Sequence, residues 1–135
     1  MTDAPLVAKK LAFIETCLRQ LRDHAQPAML HDIRELRFVE HTLQIAIQAA
    51  LDATSHIVSD ERFGEPQTNR SLFELLSQHG WLTREQAAAL SRMAGFRNIL
   101  VHGYAEVDLA IVKDVLTNHL GDLDGFVAAV RAKLT

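Results

Sequence analysis

Apolar residues at Val7, Leu11, Ile14, Leu18 and Leu21 recur in alternating steps of four and three, which lays one stripe along an α-helix and suits a seam in a helical bundle. Pro27 limits that helix, because proline lacks an N–H and its ring clashes with the preceding turn. A second register runs through Ile33, Leu36, Leu43, Ile47, Ala50, Thr54 and Ile57 and fades near Gly64-Glu65-Pro66. About thirty helical residues span roughly 45 Å, more than the core of a small domain requires, so part of this helix is expected to contact something else. Ser71-x-x-Glu74 reads as a capping box that opens a short helix with Leu72, Leu75 and Leu76 inward and Gly80 at its end. Thr83-x-x-Gln86 is a second box, opening a helix with Leu90, Ala94 and Val101 on one side. The last register, Leu109, Val112, Leu116, Leu120, Leu123, Val127, Val130 and Leu134, continues past Gly121 and Gly125. It predicts one long C-terminal helix capped by Asp108. A kink or break at Gly121-Asp122 is the alternative, since glycine inside a helix costs about 1 kcal/mol against alanine. No strand alternation occurs anywhere. The chain therefore reads as all-α, an up-and-down helical bundle of about five helices in a single domain over residues 1–135.

Composition narrows the class without changing that fold. With 135 residues, 48% hydrophobic and 23% charged, the chain suits one soluble domain with a single core. Apolar runs are only a few residues long and the N-terminus carries no uninterrupted apolar region, which predicts a cytoplasmic protein with no membrane span and no signal peptide. Cys17 is the single cysteine, so no internal disulfide or cysteine-based zinc site can form within one chain, and its place beside the first stripe predicts a packed thiol. His24, His31, His41, His56, His79 and His119 provide no i, i+4 pair on one helix face, so neither a metal site nor a cofactor is expected. The formal charge of −3 argues against a wide basic surface for nucleic acid. A compact cleft needs only local positive charge, and Arg84, Arg92 and Arg97 share one predicted helix with a single acid, Glu85. Any RNA binding is expected to be weak and strongly salt-sensitive.

Candidate chemistry is concentrated in Arg97-Asn98-Ile99-Leu100-Val101-His102-Gly103-Tyr104. Arginine holds a phosphate through two parallel N–H contacts and stays charged, whereas histidine gives or takes a proton near neutrality. The octet resembles the Arg-x4-His-x-Tyr signature of the HEPN superfamily, in particular its HepT-like branch, whose toxins pair with a minimal nucleotidyltransferase antitoxin. Arg97, His102 and Tyr104 carry the match, Asn98 and the apolar Ile99-Leu100-Val101 fit it, and the all-helical pattern extends it over nearly the whole chain. The resemblance implies a metal-independent endoribonuclease with RNA as substrate, Arg97 and His102 as catalytic residues and an active cleft between the protomers of a homodimer. It also implies that the partner nucleotidyltransferase silences the toxin by transferring AMP to Tyr104.

Metal-free RNA cleavage needs a base for the 2′-hydroxyl proton, a cation for the phosphoryl oxygens and an acid for the leaving 5′-oxygen, with cyclic-phosphate products. One imidazole cannot be acceptor and donor in a single concerted step, so two copies across a two-fold axis give a chemical reason for a dimer that is independent of the family. Arg97 lies seven residues after Leu90, an offset of about 20°, which puts it on the apolar side of its helix and in need of a partner. The five residues from Arg97 to His102 turn an unbroken helix through about 500°, leaving the two about 140° apart. Either the helix unwinds before His102, with help from Gly103, or the histidine of one protomer works with the arginine of the other.

Each residue also has a structural reading. Arg97 would pair with a buried carboxylate, His102 would answer the helix dipole and Tyr104 would anchor at the surface. Asn98 would support Arg97 or the phosphate, or simply cap. The rival function is a non-catalytic HEPN module that binds a nucleotide or presents substrate to a partner nucleotidyltransferase, and a plain helical adaptor is the third. Intact Arg97 and His102 favour the enzyme, since a binding module needs no proton-transfer group.

Overall fold

Five of the helices begin where a side chain satisfies free N–H groups of the first turn. In the computed structural model, which describes residues 2–102 and 108–135, Asp3 accepts from the Leu6 N–H at 3.1 Å and Pro5 occupies the first turn, opening α1 (Ala4–His24). That helix ends ahead of Pro27, which starts a single 3-10 turn, Pro27–Met29. Asp32 then accepts from the Arg34 and Glu35 N–H groups at 2.9 and 3.3 Å and opens α2 (Ile33–Asp60), about 42 Å long. Its first turn stands clear of the core, with Ile33 59% exposed.

The third helix begins earlier than its sequence pattern suggests. Thr68, not Ser71, caps α3 (Asn69–Gln78): the Ser71 N–H donates to Thr68 Oγ1 at 3.2 Å, and the Thr68 N–H donates back to Ser71 Oγ at 2.9 Å. The box is reciprocal as expected, but serine fills the place usually taken by Glu or Gln, and Ser71-x-x-Glu74 is not the cap. Thr83 and Gln86 do form the second box, at 2.9 and 3.0 Å, and open α4 (Arg84–His102).

Asp108 caps α5 (Leu109–Asp114) by accepting from the Ala110 N–H at 2.8 Å, and a π-helical turn, Val115–His119, carries the chain into α6 (Leu120–Leu134). The departure from α geometry therefore lies at Val115–His119 and not at Gly121-Asp122, which sits inside α6. A wider turn brings residues five apart into line, and there His119 Nε2 lies 3.0 Å from Asp114 Oδ2 while Asn118 holds the other oxygen at 2.8 Å. Counting the α5–α6 run as one rod, the described residues form five rods and no strand.

The pairs Thr2–Glu61, at 3.0 Å, and Lys10–Asp52, at 3.7 Å, set α1 antiparallel to α2, while Arg22–Asp124 and the two-pronged Arg131–Glu15 contact set it antiparallel to α6. The Arg131 hydrogen bond holds the exposed Glu15 carboxyl below its usual range. Between the rods lies one continuous core, in which Phe73 of α3 meets Phe126 of α6 edge to face at 6.0 Å. Neither phenylalanine belongs to the sequence registers. Leu72 and Leu76 are buried as expected and Leu75 is half-buried.

Two helix ends meet in the same way. The Phe63 N–H reaches Val58 O at 3.0 Å with Arg62 left-handed at φ 57°, and the Trp81 N–H reaches Leu76 O at 2.9 Å with Gly80 at φ 79°. These are paired C-terminal closures whose Phe63 and Trp81 rings pack edge-on at 6.4 Å, with His79 stacked on Phe63 at 3.9 Å. An L-residue pays for the left-handed region and glycine does not. Arg62→Gly should therefore raise stability by about 0.5–1 kcal/mol, and Gly80→Ala should lower it by about 1 kcal/mol, both read from urea unfolding. No change in either variant would show that these closures do not limit stability.

Candidate active site

Fully buried positions on α4 end at Phe96, and half-buried Leu100 is the last to pack against the core. Ala87, Leu90, Met93, Ala94 and Phe96 are buried, whereas Asn98, Ile99, Val101 and His102 are exposed and Leu100 is half-buried. Val101 thus departs from the inward face that its register predicts, because the helix runs on past the last core layer. Ile99 is 50% exposed, and Leu109 and Ile111 of α5 are exposed as well. Large apolar side chains in water at both ends of the motif are the kind of surface that marks an interface.

Arg97 is half-buried, consistent with its offset from Leu90. No carboxylate of the described residues pairs with it: Nη1 donates to Asn98 Oδ1 at 3.2 Å, and Nε is buried with no hydrogen-bond partner. The reading of Arg97 as one half of a buried ion pair therefore fails. Among the described residues the Asn98 amide oxygen, not an acid, steadies the guanidinium. Asn98 lies within α4 and is not a cap.

His102 is exposed in the last turn of α4. The helix is unbroken from Arg84 through His102, so unwinding before the histidine does not occur. Arg97 and His102 stay about 140° apart around one axis, and one protomer does not bring them onto a common face. Tyr104 and Gly103 lie outside the described residues. Among the described residues no cluster of three or more His, Cys, Asp or Glu has the placement of a metal site, and no helix is long and apolar enough to cross a membrane.

A family model described as ribonuclease HepT-like matches residues 14–130, which takes in most of the core, Arg97 and His102. The chain belongs to the HepT-like ribonuclease family. It is similar to a Shewanella oneidensis protein named mRNA nuclease HepT, with 32% identity over 132 residues that cover 95% of this chain and 98% of the relative. It is also similar to an Aphanizomenon flos-aquae protein named tRNA nuclease HepT, with 35% identity over 79 residues, 58% of this chain and 54% of that one. Among solved structures, a tri-AMPylated Shewanella oneidensis HEPN toxin in complex with MNT antitoxin superposes with a TM-score of 0.88 at 31% identity, covering 98% of this chain and 99% of that one.

One basic residue near the HepT-like motif has no counterpart in the sequence reading. Arg70, on α3, lies over α4 so closely that a Cβ built on Gly95 would stand 2.5 Å from its Nη2. The available signal was Gly95 itself, a glycine inside a helix, which often marks a close approach.

Exposure separates chemistry from folding at this helix end. His102→Ala should melt within about 0.5 kcal/mol of the parent, and Arg97→Ala should cost less than about 1 kcal/mol because it removes an unpartnered buried N–H together with some packed stem. Thermal unfolding followed by circular dichroism measures both. A loss of several kcal/mol in Arg97→Ala would point to a buried partner and restore the structural reading.

Proposed function

We propose that this chain is a metal-independent endoribonuclease toxin that cleaves RNA by attack of a 2′-hydroxyl, with Arg97 and His102 as its catalytic residues. The observation that carries the reading is the Arg97 guanidinium, half-buried and without an acid partner among the described residues, on the same unbroken helix as an exposed His102. A fixed cation costs free energy to desolvate, and a phosphoryl oxygen that gathers charge in the transition state is a fitting counter-ion. Family membership and relatives named as nucleases support the same reaction class.

The chemistry assigns each group a step. An imidazole takes the 2′-hydroxyl proton as that oxygen bonds to phosphorus, Arg97 neutralises the phosphoryl oxygens, and the bond from phosphorus to the 5′-oxygen breaks as a second imidazole returns a proton to it. A cyclic phosphate and a 5′-hydroxyl result. General acid–base help is worth about 10²–10⁴-fold, and a placed cation adds a comparable factor.

A helix that keeps its arginine and histidine about 140° apart assembles this set most simply across a two-fold axis, with Arg97 of one protomer facing the partner's His102. Exposed Ile99 and Val101 within the motif, and Leu109 and Ile111 after it in the chain, supply apolar surface for such a homodimer. Arg97→Ala and His102→Ala should each lower RNA cleavage at least 10²-fold, and activity of the parent should persist in excess EDTA. Hybrid dimers of the parent with His102→Ala should each retain far less than half of the parent rate, because the cleft uses the imidazoles of both protomers. Half of the parent rate in the hybrid, with hybrid dimers demonstrated, would show that one imidazole per site is enough and remove the shared cleft.

A minimal nucleotidyltransferase is the proposed partner, and Tyr104 its modification site. The solved complex of a tri-AMPylated HEPN toxin with MNT antitoxin supports this pairing. In the proposed step the Tyr104 phenol oxygen bonds to the α-phosphorus of ATP as pyrophosphate leaves and the phenol proton is lost. The added phosphate would repel RNA from a cleft two residues away, by like charge and by bulk. After incubation with the cognate transferase, ATP and Mg²⁺, intact-mass and peptide spectra should show AMP on Tyr104, and Tyr104→Phe should stay unmodified and active on RNA. A silenced protein with unmodified Tyr104 would replace covalent inhibition with occlusion.

A further inference from the structure

Between α3 and α4 runs an open groove of about 540 Å³ whose walls include Arg70 and Glu74 from α3 and Arg84, Ala88, Ser91 and Arg92 from α4. Three guanidinium groups face one carboxylate there. None of the three arginines makes an ion pair among the described residues, and all three are exposed. In a chain of net charge −3, three unpaired cations in one groove are a concentration of charge that the fold does not consume.

Two contacts hold Arg70 in place. Ser91 Oγ donates to the Arg70 carbonyl at 3.3 Å, tying its backbone to α4, and the guanidinium lies where Gly95 leaves no side chain. Any Cβ at position 95 would meet Nη2 at 2.5 Å, so glycine, a poor helix former, leaves room for an arginine head.

Helical periodicity links this groove to the motif. Arg84, Ala88, Ser91, Gly95, Asn98 and His102 follow one another in steps of four and three, so they form a single face of α4 with Arg70 lying across its middle. From Gly95 to His102 the axial distance is about 10 Å, short enough for one strand to cross both. Arg97 points elsewhere, about 140° from this face, and belongs to the other side of the helix.

We propose that the α3–α4 groove is a binding site for the phosphate backbone of single-stranded RNA, with Arg70 as its central contact and Arg84 and Arg92 beside it, and that it leads the strand along α4 to His102. The proposal rests on the ribonuclease reading for its substrate. These three are positioning residues: they grip phosphates away from the bond that breaks.

The test uses the full-length protein and a fluorescent 2′-O-methyl oligoribonucleotide, which lacks the attacking hydroxyl and reports binding alone. Arg70→Ala should weaken binding roughly 3–10-fold at about 0.1 M salt and flatten the slope of log K against log salt by about 0.7, while Arg70→Ala/Arg92→Ala should flatten it by about 1.4. Gly95→Ala, which keeps every charge but displaces the Arg70 head, should weaken binding in the same direction without lowering the melting temperature. On cleavable RNA, Arg70→Ala should raise KM far more than it lowers kcat. The control Arg19→Ala, on α1, should leave affinity and slope unchanged. Unaltered binding and slope in the Arg70 variants would overturn the groove, as would an equal effect from Arg19→Ala, which would mark bulk charge alone. Unaltered oligonucleotide binding with weakened binding of the nucleotidyltransferase would also overturn it and reassign the arginines to a protein partner. A parent protein that binds the oligonucleotide through Arg70 but never cuts RNA would leave the groove standing and remove the catalytic reading.

Discussion

Close approach to α2 is the constraint on which the other helices depend. Ala46, Ala49, Ala50 and Ala53 are buried along it, and such small side chains let neighbouring rods come near enough for Leu11, Leu76 and Leu90 to interdigitate. Its two buried threonines need no outside partner, since Thr42 donates to Phe38 O at 2.7 Å and Thr54 to Ala50 O at 2.8 Å. A helix that satisfies its own polar groups can be surrounded on several sides, and α1, α3, α4 and α6 all pack on this one. A larger residue at Ala50 or Ala53 would separate several of these rods at once, which is how a single position on α2 governs the whole bundle.

Because α4 is clamped at its start by the Thr83–Gln86 box and along Leu90–Phe96 by the core, its remaining turn and a half is rigid without being buried. That combination suits chemistry. A catalytic group on a continuous helix is held more narrowly than one on a loop, while its exposure leaves room for a substrate or a second chain. The same rigidity denies one protomer the freedom to turn His102 toward its own Arg97. In the proposed dimer, assembly would bring an arginine and a histidine together, and the exposed apolar Ile99 and Ile111 would give it a driving force.

Periodicity made the architecture legible because a bundle core is built from stripes, and the stripes through Val7–Leu21, Leu43–Ile57 and Val112–Val130 are the buried ones. The family was legible in the octet that contains Arg97 and His102. Other features were hidden for identifiable reasons. Thr68 is hard to read as a cap because serine stands in for the usual Glu or Gln, and Val101 keeps its register where the fully buried positions have ended. The π turn at Val115–His119 adds one residue to a turn and so looks, in sequence, like an ordinary step of four. Arg97 read as a residue that needs a partner, yet whether an acid stood opposite was a tertiary fact. Arg70 was invisible for the same reason, since nothing local to residue 70 says that a helix glycine lies beneath it.

An acidic chain and a nucleic-acid substrate are compatible once distance is considered. At physiological ionic strength the field of an exposed charge fades over about 8 Å, so carboxylates elsewhere on the surface scarcely reach the α3–α4 groove, whereas its own arginines act at contact range. Much of the acid is also spent within the fold, as Glu15 and Asp124 face Arg131 and Arg22 and the Asp32 and Asp108 carboxylates cap helices. Net charge therefore understates local charge. An enzyme of this kind gains from the arrangement, because a surface without broad positive charge holds little RNA non-specifically, and a strand stays only where several phosphates find arginines at once. If RNA follows the proposed path along α4, affinity would depend on that path and not on the protein as a whole, and a partner that covered it would be sufficient to stop the chemistry.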